Sequence, residues 1–484
     1  MNMKYSQPTC IEEGNNLKII MISLDSLRAN RLGCYGYNKP TSPYIDKIAS
    51  EGVLFENAFA SDIPTEVAHT SIFTGKVGLR TGIVSHGSEL STLPKTTEWL
   101  PTILRQAGFT TAAVDNLYQL KEWFARGFRY YINSVGGNRW IDGKTINELA
   151  KPWLREHKDE DFFLFLHYWD AHTPYLPPKE FIPSFYDINN NPYDKQNKSM
   201  EQAYNHLAYP FFKHHHFDLL GPVTDAEYVN SLYDAEIRYL DDRLKEIDLY
   251  LEELGIKDDT LLILFGDHGE SLTEHDIYWD HCGLYDCTVK VPMIMRWPEK
   301  MPEGKRVSGM IQQVDLMPTI LEAVMKQTPR DKAKLSNPSE IDGRSLWPTI
   351  LGDVQGTHSK IYLSECAWQA SRGIRTESYK YIRTLDSGVF NRPPRELYDL
   401  RTDPDETINL AEHYPELAEN FGKDLDFWVQ LMLQGREDPM LTQLREGGLP
   451  FRNRIEKILA EVNLTWDEWQ QNPLRERLEQ LTLS

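Results

Sequence analysis

The chain is 484 residues long, more than one simple hydrophobic core accommodates, so the sequence predicts a large domain with a smaller partner. Its composition, 40% hydrophobic and 26% charged residues, is typical of a soluble globular protein. The formal net charge of −20 argues against nucleic acids and anionic membrane surfaces as partners. A site for a small anion therefore needs locally concentrated cations.

The sequence lacks the usual marks of export and membrane insertion. No apolar stretch is long enough to span a bilayer, and the N-terminal residues lack the apolar segment of a signal peptide. The five cysteines have neither the spacing of a zinc finger nor that of a disulfide framework. We therefore expect free thiols and a cytoplasmic protein.

The predicted sheet begins with a short apolar strand that ends at an acidic residue. Residues 18–24 (KIIMISL) have the pattern of a buried strand, and Asp25 follows at its carboxyl end. A helix over residues 43–52 and a strand over residues 53–59 come next. Because ligands bind at the carboxyl ends of strands in open α/β sheets, Asp25 is a candidate metal ligand.

A second helix is expected to begin near Thr65, within SDIPTEVAHTSIFTG. His69, Ile72 and Phe73 follow it at helical spacing. A hydroxyl at a helix N-terminus lies at the positive end of the helix dipole, which suits a nucleophile that must become an oxyanion. On local evidence alone, an ordinary N-cap is the simpler interpretation of Thr65.

A highly apolar strand over residues 161–168 ends in WDAHTPYLPP and brings Asp170 and His172 to the same edge. Residues 180–222 then form a loop-rich, aromatic insertion, which we interpret as a lid that shapes the substrate site. Histidines 214–216 lie within it, and a solvated cluster is their simplest interpretation.

The pattern that most strongly suggests chemistry follows the apolar run of residues 261–265. The run stops at a glycine and presents Asp267 and His268, a hard oxygen and a borderline nitrogen, to one divalent cation. His281 follows in the next loop. Since Asp25 also ends a predicted strand, two strand ends that each present an acid predict a composite metal site.

The alternation of strands and helices predicts an α/β fold in which a large, mostly parallel sheet lies between helices, over residues 17–352. Short strands and turns followed by a helix then predict a small α+β domain over residues 353–432. Residues 433–484 form a helical appendage that carries Trp466 and Trp469. We expect this appendage to cover the core or to make a homo-oligomer contact.

Several segments together resemble the sulfatase-like members of the alkaline phosphatase superfamily. They run in family order from about residue 17 to about residue 430, and they include SLDSLRANRLGCYGY, TSIFTG, HYWDAHTPY, DDTLLILFGDHGE, VDLMPTIL and ELYDLRTDPDETINLA. Together these motifs are highly specific, whereas each alone is weak. The resemblance implies an alkaline phosphatase-like fold and a metal-dependent hydrolase.

Several positions depart from the sulfatase pattern. Thr65 stands at the nucleophile position, where the resemblance implies a Cys or Ser that is oxidised to formylglycine. Val67 and His69 stand at the usual proline and arginine positions, and Ser26 replaces the second acid of an Asp-Asp pair. His281 matches a lysine that faces the sulfate. Because threonine cannot become formylglycine, we expect an unmodified alkoxide, as in the phosphatases and phosphodiesterases of the superfamily.

The resemblance implies a first metal site made of Asp25, Thr65, Asp267 and His268. Relative to the sulfatase pattern, His281 replaces a lysine, and Asp170 is added two positions before His172. These changes remove a cation and supply further possible metal ligands. The resemblance to two-metal phosphoryl hydrolases therefore implies a second site of Asp170, His172 and His281. We expect one or two divalent ions, Zn²⁺ or Mn²⁺ in preference to Ca²⁺, which prefers about six to eight oxygen ligands.

The expected mechanism follows from charge. A divalent ion lowers the pKa of a bound water from ~15.7 to ~7, and comparable coordination would make the Thr65 alkoxide available. The alkoxide attacks phosphorus in line, and water then hydrolyses the phospho-threonine intermediate. The other candidates for catalysis or for binding the anion are His69, His172, His281, His86 and Arg28.

The sequence leaves several functions open. It favours a metal-dependent hydrolase of phosphate or phosphonate esters, either a phosphomonoesterase or a phosphodiesterase. A sulfatase that uses bare threonine is the nearest alternative: two metal ions would overcompensate the charge of a sulfate monoester, an objection that one ion weakens. A phosphoryl or headgroup transferase would need an acceptor pocket in the insertion. A degenerate binding protein would not explain why nearly every ligand position holds a suitable residue. The expected partner is a small anionic ester.

Overall fold

Strands and helices alternate along most of the chain, and the computed structural model describes them over residues 16–133, 141–327, 340–476 and 478. The strands of this part are β1 (Lys18–Leu24), β2 (Val53–Phe59), β3 (Asp62–Ile63), β4 (Thr110–Val114), β5 (Tyr130–Ile132), β6 (Phe162–Tyr168), β7 (Thr260–Gly266), β8 (Lys290–Val291), β9 (Met293–Arg296), β10 (Lys305–Gln312), β11 (Lys360–Cys366), β12 (Ala370–Thr376), β13 (Tyr379–Asp386) and β14 (Arg395–Asp399).

The helices differ widely in length, from single turns to the long α9. They are α1 (Pro43–Ser50), α2 (Thr65–Thr74), α3 (Gly78–Thr81), α4 (Leu100–Gln106), α5 (Gly143–His157), α6 (Glu201–Tyr204), α7 (Tyr209–Phe212), α8 (Asp218–Leu220), α9 (Ala226–Glu253), α10 (Asp286–Val289), α11 (Leu316–Gln327), α12 (Trp347–Leu351), α13 (Pro415–Leu433), α14 (Pro439–Glu446), α15 (Pro450–Glu461) and α16 (Trp466–Gln471). A π-helical turn spans Lys213–Phe217.

The large sheet has the strand order β10-β2-β9-β7-β1-β6-β4-β5, and β8 pairs with β2. Its centre is parallel: β1 lies between β6 and β7, and β4 lies beside β6. β9 is antiparallel to both β7 and β2. Every residue of β1, β6 and β7 is buried, because helices flank both faces of the sheet. The predicted α/β fold with a mostly parallel central sheet is confirmed.

The small sheet has the order β14-β13-β12-β11-β3, and its strands are antiparallel except for β3. Helix α13 packs against it. Its edge strand β3 comes from the N-terminal half of the chain and runs parallel to β11. Since β3 ends at Ile63, just before α2 begins at Thr65, the small sheet anchors the chain that leads into this helix.

The insertion and the appendage pack against each other, because α15 contacts α7. Trp469 is fully buried, and its indole N–H donates to the Leu207 carbonyl at 3.0 Å. Both tryptophans of the appendage are therefore used within the chain. Among the described residues, we find no helix with the length and apolar character of a membrane span. The four described cysteines are free thiols, and Cys10 lies outside this part of the chain.

Candidate active site

The parallel register brings the predicted acids to one edge of the large sheet. Leu24, the last residue of β1, lies beside Tyr168 of β6 and Gly266 of β7. The residues that follow Leu24 and Gly266 are Asp25 and Asp267, so both carboxylates leave the sheet at the same level. Two separate apolar runs in the sequence thus converge on one polar site.

Asp25, Asp267 and His268 form a fully buried cluster whose ligand atoms lie within 4.8 Å of one another. His268 Nδ1 donates to the Gly269 carbonyl at 3.0 Å, which leaves its Nε2 lone pair for the cluster. Asp267 Oδ1 accepts from the backbone N–H groups of Ser26 and His268, whereas Oδ2 has no hydrogen-bond partner among the described residues. An orphaned carboxylate oxygen beside a second carboxylate and an imidazole lone pair fits a divalent cation.

The backbone after Asp267 packs closely enough to require glycine. The Gly269 N–H donates to the Thr288 carbonyl at 2.7 Å. A Cβ at position 269 would lie 2.2 Å from the Cys287 carbonyl oxygen, so a side chain would displace the turn that carries His268. Burial, followed by the charge of Asp25, raises the pKa of Asp267 to about 7. A cation at the cluster would relieve this repulsion.

His167, which the sequence analysis did not single out, holds Asp25 in place. Its Nε2 lies 3.1 Å from Asp25 Oδ2, and its Nδ1 lies 3.2 Å from Asp115 Oδ1. Burial lowers the pKa of His167, but hydrogen bonds to the two carboxylates raise it to about 10, so the ring donates to both. Burial alone would raise the Asp25 pKa, but the bond from His167 brings it below its usual range. The sequence signal was one polar side chain near the end of an otherwise apolar strand.

Thr65 is the first residue of α2, and its hydroxyl faces the cluster. Thr65 Oγ1 donates to His268 Nε2 at 3.0 Å. The cap position belongs to Pro64, and no side chain caps the helix, so Thr65 is not an N-cap. Although only 1% exposed, Thr65 lines the floor of a cavity. It therefore lies where the positive end of the helix, the metal-type cluster and the cavity meet.

His69 lies one turn after Thr65 and faces the protein interior. Its Nδ1 donates to the Thr65 carbonyl at 2.8 Å, and its Nε2 accepts from the Ser23 hydroxyl at 2.9 Å. Burial, followed by the charge of His167, lowers the pKa of His69 to about 3, so the ring is neutral. Both nitrogens are used inside the protein, and His69 is not among the residues that line the cavity. His69 thus braces the first turn of α2 and does not contact the anion.

The cavity above Thr65 has a volume of about 390 Å³. Three predicted histidines line it, namely His86, His172 and His281. Burial lowers the pKa of His172 to about 4 and that of His281 well below its ordinary value, so both rings are neutral near pH 7. Much of the remaining wall is aromatic: Trp169, Phe211, Phe212, Trp368 and Phe451.

His281 lies directly beside the cluster. Its ring stacks on that of His268 with centroids 4.4 Å apart, and its centroid lies 4.8 Å from that of His172. Its Nδ1 lies 3.5 Å from Asp280 Oδ1 and 3.7 Å from Glu270 Oε2, with no hydrogen-bond partner in the described part of the chain. This position suits a hydrogen bond to a substrate oxygen held over Thr65.

Asp170 does not join His172 and His281. Its Oδ1 accepts from the Gly143 N–H at 2.9 Å, so this carboxylate satisfies the N-terminus of α5. Its side chain faces a neighbouring cavity, beside Glu236. Within the described ranges, no group of three ligand atoms within 4.8 Å of one another contains this trio. The predicted second metal site is not assembled in the structure, because Asp170 accepts from the first N–H of α5 and does not lie with the two histidines.

Arg28 also lies away from the cavity. Its Nη1 lies 2.7 Å from Glu274 Oε1, and its Nε donates to Asn30 Oδ1 at 2.9 Å. The guanidinium lines a different cavity, one that does not include Thr65. The expectation that Arg28 binds the anion is wrong in this geometry, because the Glu274 carboxylate already engages it.

Sequence reasoning missed several residues of the cavity wall. His214 and His215, interpreted above as solvated, line the cavity, and so does Arg454 of α15. Arg454 belongs to no motif, so only the packing of the appendage on the insertion could reveal its position. The insertion and the appendage thus build much of the space above Thr65.

Together, the alkaline phosphatase-like fold, the strand-end ligand cluster and the helix-borne hydroxyl define a metal-dependent hydrolase of ester bonds. The Sulfatase family model matches residues 18–325, and a second model, N-sulphoglucosamine sulphohydrolase, C-terminal, matches residues 273–426. The chain belongs to the sulfatase family, and its relatives are hydrolases that act on sulfate or phosphate esters.

Similar proteins agree with this assignment. The ulvan-active sulfatase of Formosa agariphila is 28% identical over 451 residues, which cover 85% of this chain and 80% of that protein. A solved structure named BT4656, in complex with its substrate D-glucosamine-2-N,6-O-disulfate, superposes with a TM-score of 0.68 at 20% identity, covering 88% of this chain and 99% of that one. The structure of the phosphonate monoester hydrolase of Agrobacterium radiobacter also superposes with a TM-score of 0.68. It is 18% identical in sequence, and the match covers 88% of this chain and 97% of that one. The family fits the sulfate-ester alternative better than the phosphate-ester preference drawn from the sequence.

Proposed function

We propose that this protein hydrolyses a sulfate monoester, with Thr65 as the nucleophile and one divalent metal ion at Asp25, Asp267 and His268. The observation that carries the proposal is the position of the Thr65 hydroxyl, 3.0 Å from His268 Nε2. Thr65 is the first residue of α2 and lines the floor of a cavity. The nearby ligand cluster contains a buried carboxylate oxygen, Asp267 Oδ2, that lacks a hydrogen-bond partner among the described residues. These features supply a nucleophile, a cation site and room for a leaving group.

A divalent ion at the cluster would neutralise anionic charge and promote ionisation of a nearby hydroxyl. The residues of the chain do the rest. The Thr65 hydroxyl loses its proton to water, and Oγ forms a bond to sulfur while the bond from sulfur to the leaving oxygen breaks. The released alkoxide takes up a proton from water. Water then cleaves the sulfo-threonine, which releases sulfate and restores the hydroxyl. His281 is placed to donate a hydrogen bond to an oxygen on sulfur, whereas the single ring N–H of neutral His172 donates to the Thr173 carbonyl.

Charge supports a sulfate monoester over a phosphate monoester. A sulfate monoester carries one negative charge, whereas a phosphate monoester carries about −1.5 to −2 near pH 7. Of the two groups of close ligand atoms among the described residues, Asp25, Asp267 and His268 lie beside Thr65. The other group shares Asp267, and the ring nitrogens of its His69 and His167 are hydrogen-bonded within the protein. His172 and His281 are neutral. With one metal ion at this cluster, the argument that two cations would overcompensate the single charge of a sulfate monoester no longer applies. With a single cation, we favour Zn²⁺ or Mn²⁺, given one nitrogen and two carboxylates.

A phosphonate monoester or phosphodiester is the second candidate, because each also carries a single charge. The observation that favours it is Thr65 itself, which cannot provide the formylglycine that the sulfatase pattern implies at this position. The fold of a phosphonate monoester hydrolase, which superposes on 88% of this chain, adds support.

A panel of 4-nitrophenyl esters tests the choice. The purified, metal-loaded protein is assayed with the sulfate monoester, a phosphonate monoester, a phosphodiester and the phosphate monoester at equal concentrations. We expect the highest kcat/KM with the sulfate and the lowest with the doubly charged phosphate monoester. A phosphate monoester hydrolysed faster than every singly charged ester would overturn the charge argument, and a leading phosphonate would select the second candidate.

A further inference from the structure

One wall of the cavity comes from a part of the chain that neither family model matches. The matched segments end at residues 325 and 426, whereas α15 begins at Pro450. Phe451, Arg454 and Ile458 line the cavity from this helix. Their spacing of three and four residues places them on one helical face. This helical face lies outside both matched segments.

Arg454 reaches the cavity with its charge uncompensated by an ion pair. Among the described residues, no carboxylate lies within 4.0 Å of its guanidinium, whereas Arg452 of the same helix pairs with Glu456 at 3.0 Å. The acid that acts on Arg454 from a greater distance is Glu66, whose Oε2 accepts from the Gly87 N–H at 2.7 Å and whose Oε1 lies 4.0 Å from Lys121 Nζ. The carboxylate thus already faces two other donors.

The guanidinium contacts the protein at two points. It lies over the ring of Phe451, 4.8 Å from the centroid. On its other side it meets the backbone at Gly87, where a Cβ would lie 2.8 Å from Arg454 Nη2. Gly87 has φ +73°, a conformation that favours glycine, so residue 87 suits both the turn and the approach of the arginine.

Flat rings continue the wall beyond the arginine. Phe451 stacks on Trp368 at 4.7 Å, and His86 stacks on Phe451 at 5.6 Å. Phe211 meets Phe451 edge-on at 5.3 Å. A ring-shaped leaving group could lie against these faces while its ester group rests over Thr65. The wall therefore has an apolar surface with one positive charge at its border.

We propose that Arg454 binds a second anionic group of the substrate, a carboxylate or a sulfate carried by a ring-shaped leaving group. The proposal rests on the proposed function only in placing the reacting ester at Thr65. In a protein with a net charge of −20, a held guanidinium without an ion pair in a substrate cavity is best explained by an anionic ligand. The Arg454 subsite would thus select doubly charged esters whose two anionic groups lie on opposite sides of the ring.

Binding of product-like phenols tests the subsite without any turnover. The probes are 4-hydroxybenzoate, 4-hydroxybenzenesulfonate, whose non-hydrolysable sulfonate stands in for a sulfate, and the neutral 4-hydroxybenzamide, titrated calorimetrically into the metal-loaded protein. We expect at least one anion to bind about tenfold to a hundredfold more tightly than the amide, as a charge-assisted contact provides. The stronger of the two anions identifies the group that the site prefers. Equal affinity for all three probes would overturn the proposal.

Variants on the same helix locate the effect. Arg454→Gln should lose the preference for the anion, whereas Arg454→Lys should keep part of it. Arg452→Gln is the matched control: it removes the same charge from α15, but Arg452 is not among the residues that line the cavity. A preference that survives in folded Arg454→Gln would assign the anion to another residue and refute the proposal. If Arg454→Gln does not fold, the wild-type preference and its loss in Gly87→Val, which crowds Nη2, decide the matter.

Turnover separates this proposal from the proposed function. The aryl sulfates of the same benzoate and benzamide are assayed as substrates. Preferential binding of the anion without hydrolysis of either ester would retain the subsite and reject the sulfatase function. Hydrolysis of both esters at equal kcat/KM, with equal binding of the phenols, would retain the function and reject the subsite.

Discussion

The floor and the wall of the cavity are built in different ways. The floor comes from strand ends and the start of a helix: Asp25 follows β1, Asp267 follows β7, and Thr65 begins α2. Its side chains are buried, and hydrogen bonds hold them individually. The wall comes from the insertion, from α15 and from Trp368 between β11 and β12, and edge-on and stacked contacts between aromatic rings hold it together.

This difference separates chemistry from selectivity. A buried polar group without its partner costs about 1–3 kcal/mol, so few residue types are tolerated at each floor position. Apolar packing tolerates many combinations of similar volume, so the wall can change without loss of the fold. The floor lies within the family match at residues 18–325, whereas α15 lies beyond both matched segments. We therefore expect floor substitutions to change kcat and wall substitutions to change KM.

The largest effect is expected from removal of the nucleophile. Thr65→Ala should lower kcat by about 10⁴-fold to 10⁶-fold, because the variant loses the hydroxyl that lies beside the ligand cluster. Metal content and the melting temperature should stay near those of the wild type, which atomic absorption and thermal unfolding would check. Thr65→Ser, which keeps a hydroxyl, is the control and should retain much of the rate. Substantial turnover by folded, metal-loaded Thr65→Ala would contradict the role of the threonine.

Loss of the orphaned carboxylate should be nearly as severe. Asp267→Asn should lower metal content well below one equivalent and reduce kcat/KM more than about 100-fold, because an amide is a weaker ligand than a carboxylate. In the wild type, added Zn²⁺ or Mn²⁺ should raise the melting temperature, and the variant should lose this response. Asp62→Asn changes another buried acid, one outside the ligand cluster, and should keep the metal. Full metal content in Asp267→Asn would mean that the ion binds elsewhere.

His281 tests the boundary between floor and wall. If it contacts the substrate, His281→Ala should leave metal content unchanged and lower kcat/KM by about 10²-fold, as loss of one oxyanion donor does. His281→Lys should restore part of the rate, because an ammonium donates hydrogen bonds but offers no lone pair to a metal. A fall in metal content from two equivalents to one in the alanine variant would instead restore the second metal site predicted from the sequence.

A change in the aromatic wall should have a smaller effect, confined to binding. Phe451→Leu replaces the aromatic ring that stacks on Trp368 by a smaller aliphatic side chain, so the site stays apolar. With an aryl sulfate we expect KM to rise about threefold to tenfold and kcat to stay within about twofold, as the loss of one or two buried carbon groups allows. Phe73→Leu, a substitution in the main core away from the cavity, is the control and should leave KM unchanged. A large fall in kcat for Phe451→Leu would remove the distinction between floor and wall.

The same division explains what could be predicted from the sequence. Asp25 and Asp267 were found because apolar runs end at them and the parallel register brings strand ends together. The start of α2 at Thr65 was found from the helical spacing of the residues that follow it. His167 was missed because its role depends on Asp25 and Asp115, which follow strands remote from it in sequence. Asp170 was misassigned because a strand end does not determine the direction of a side chain two residues later. Arg454 has no sequence signal at all, since its position depends on how the appendage packs.

The last prediction concerns the joint between the small sheet and the loop that carries His281. Glu365 of β11 is buried, and its Oε2 accepts from the Gly283 N–H at 2.8 Å. Its Oε1 accepts from the Gln369 amide, whose own oxygen lacks a partner among the described residues. A glutamine at position 365 could keep the Gly283 bond and donate to Gln369 after the latter's amide turns over. Glu365→Gln should therefore fold well.

The effect of this substitution should depend on pH. Burial raises the pKa of Glu365 from 4.5 to about 7. Below pH 4.5 the folded and unfolded states both bind the proton, so wild type and variant differ by a constant amount. Between pH 4.5 and about 7, the unfolded chain has lost this proton while the folded chain still holds it. As the pH rises through this range, the wild type therefore loses stability relative to Glu365→Gln by at most about 1.4 kcal/mol per pH unit. Denaturant unfolding across this range would measure the change. Glu419→Gln, at an exposed position of α13, should show no such trend. A difference in stability that does not vary with pH would mean that Glu365 is ionised throughout this range. We expect kcat to change little in either variant, because Glu365 supports the loop that carries His281 and does not itself line the site.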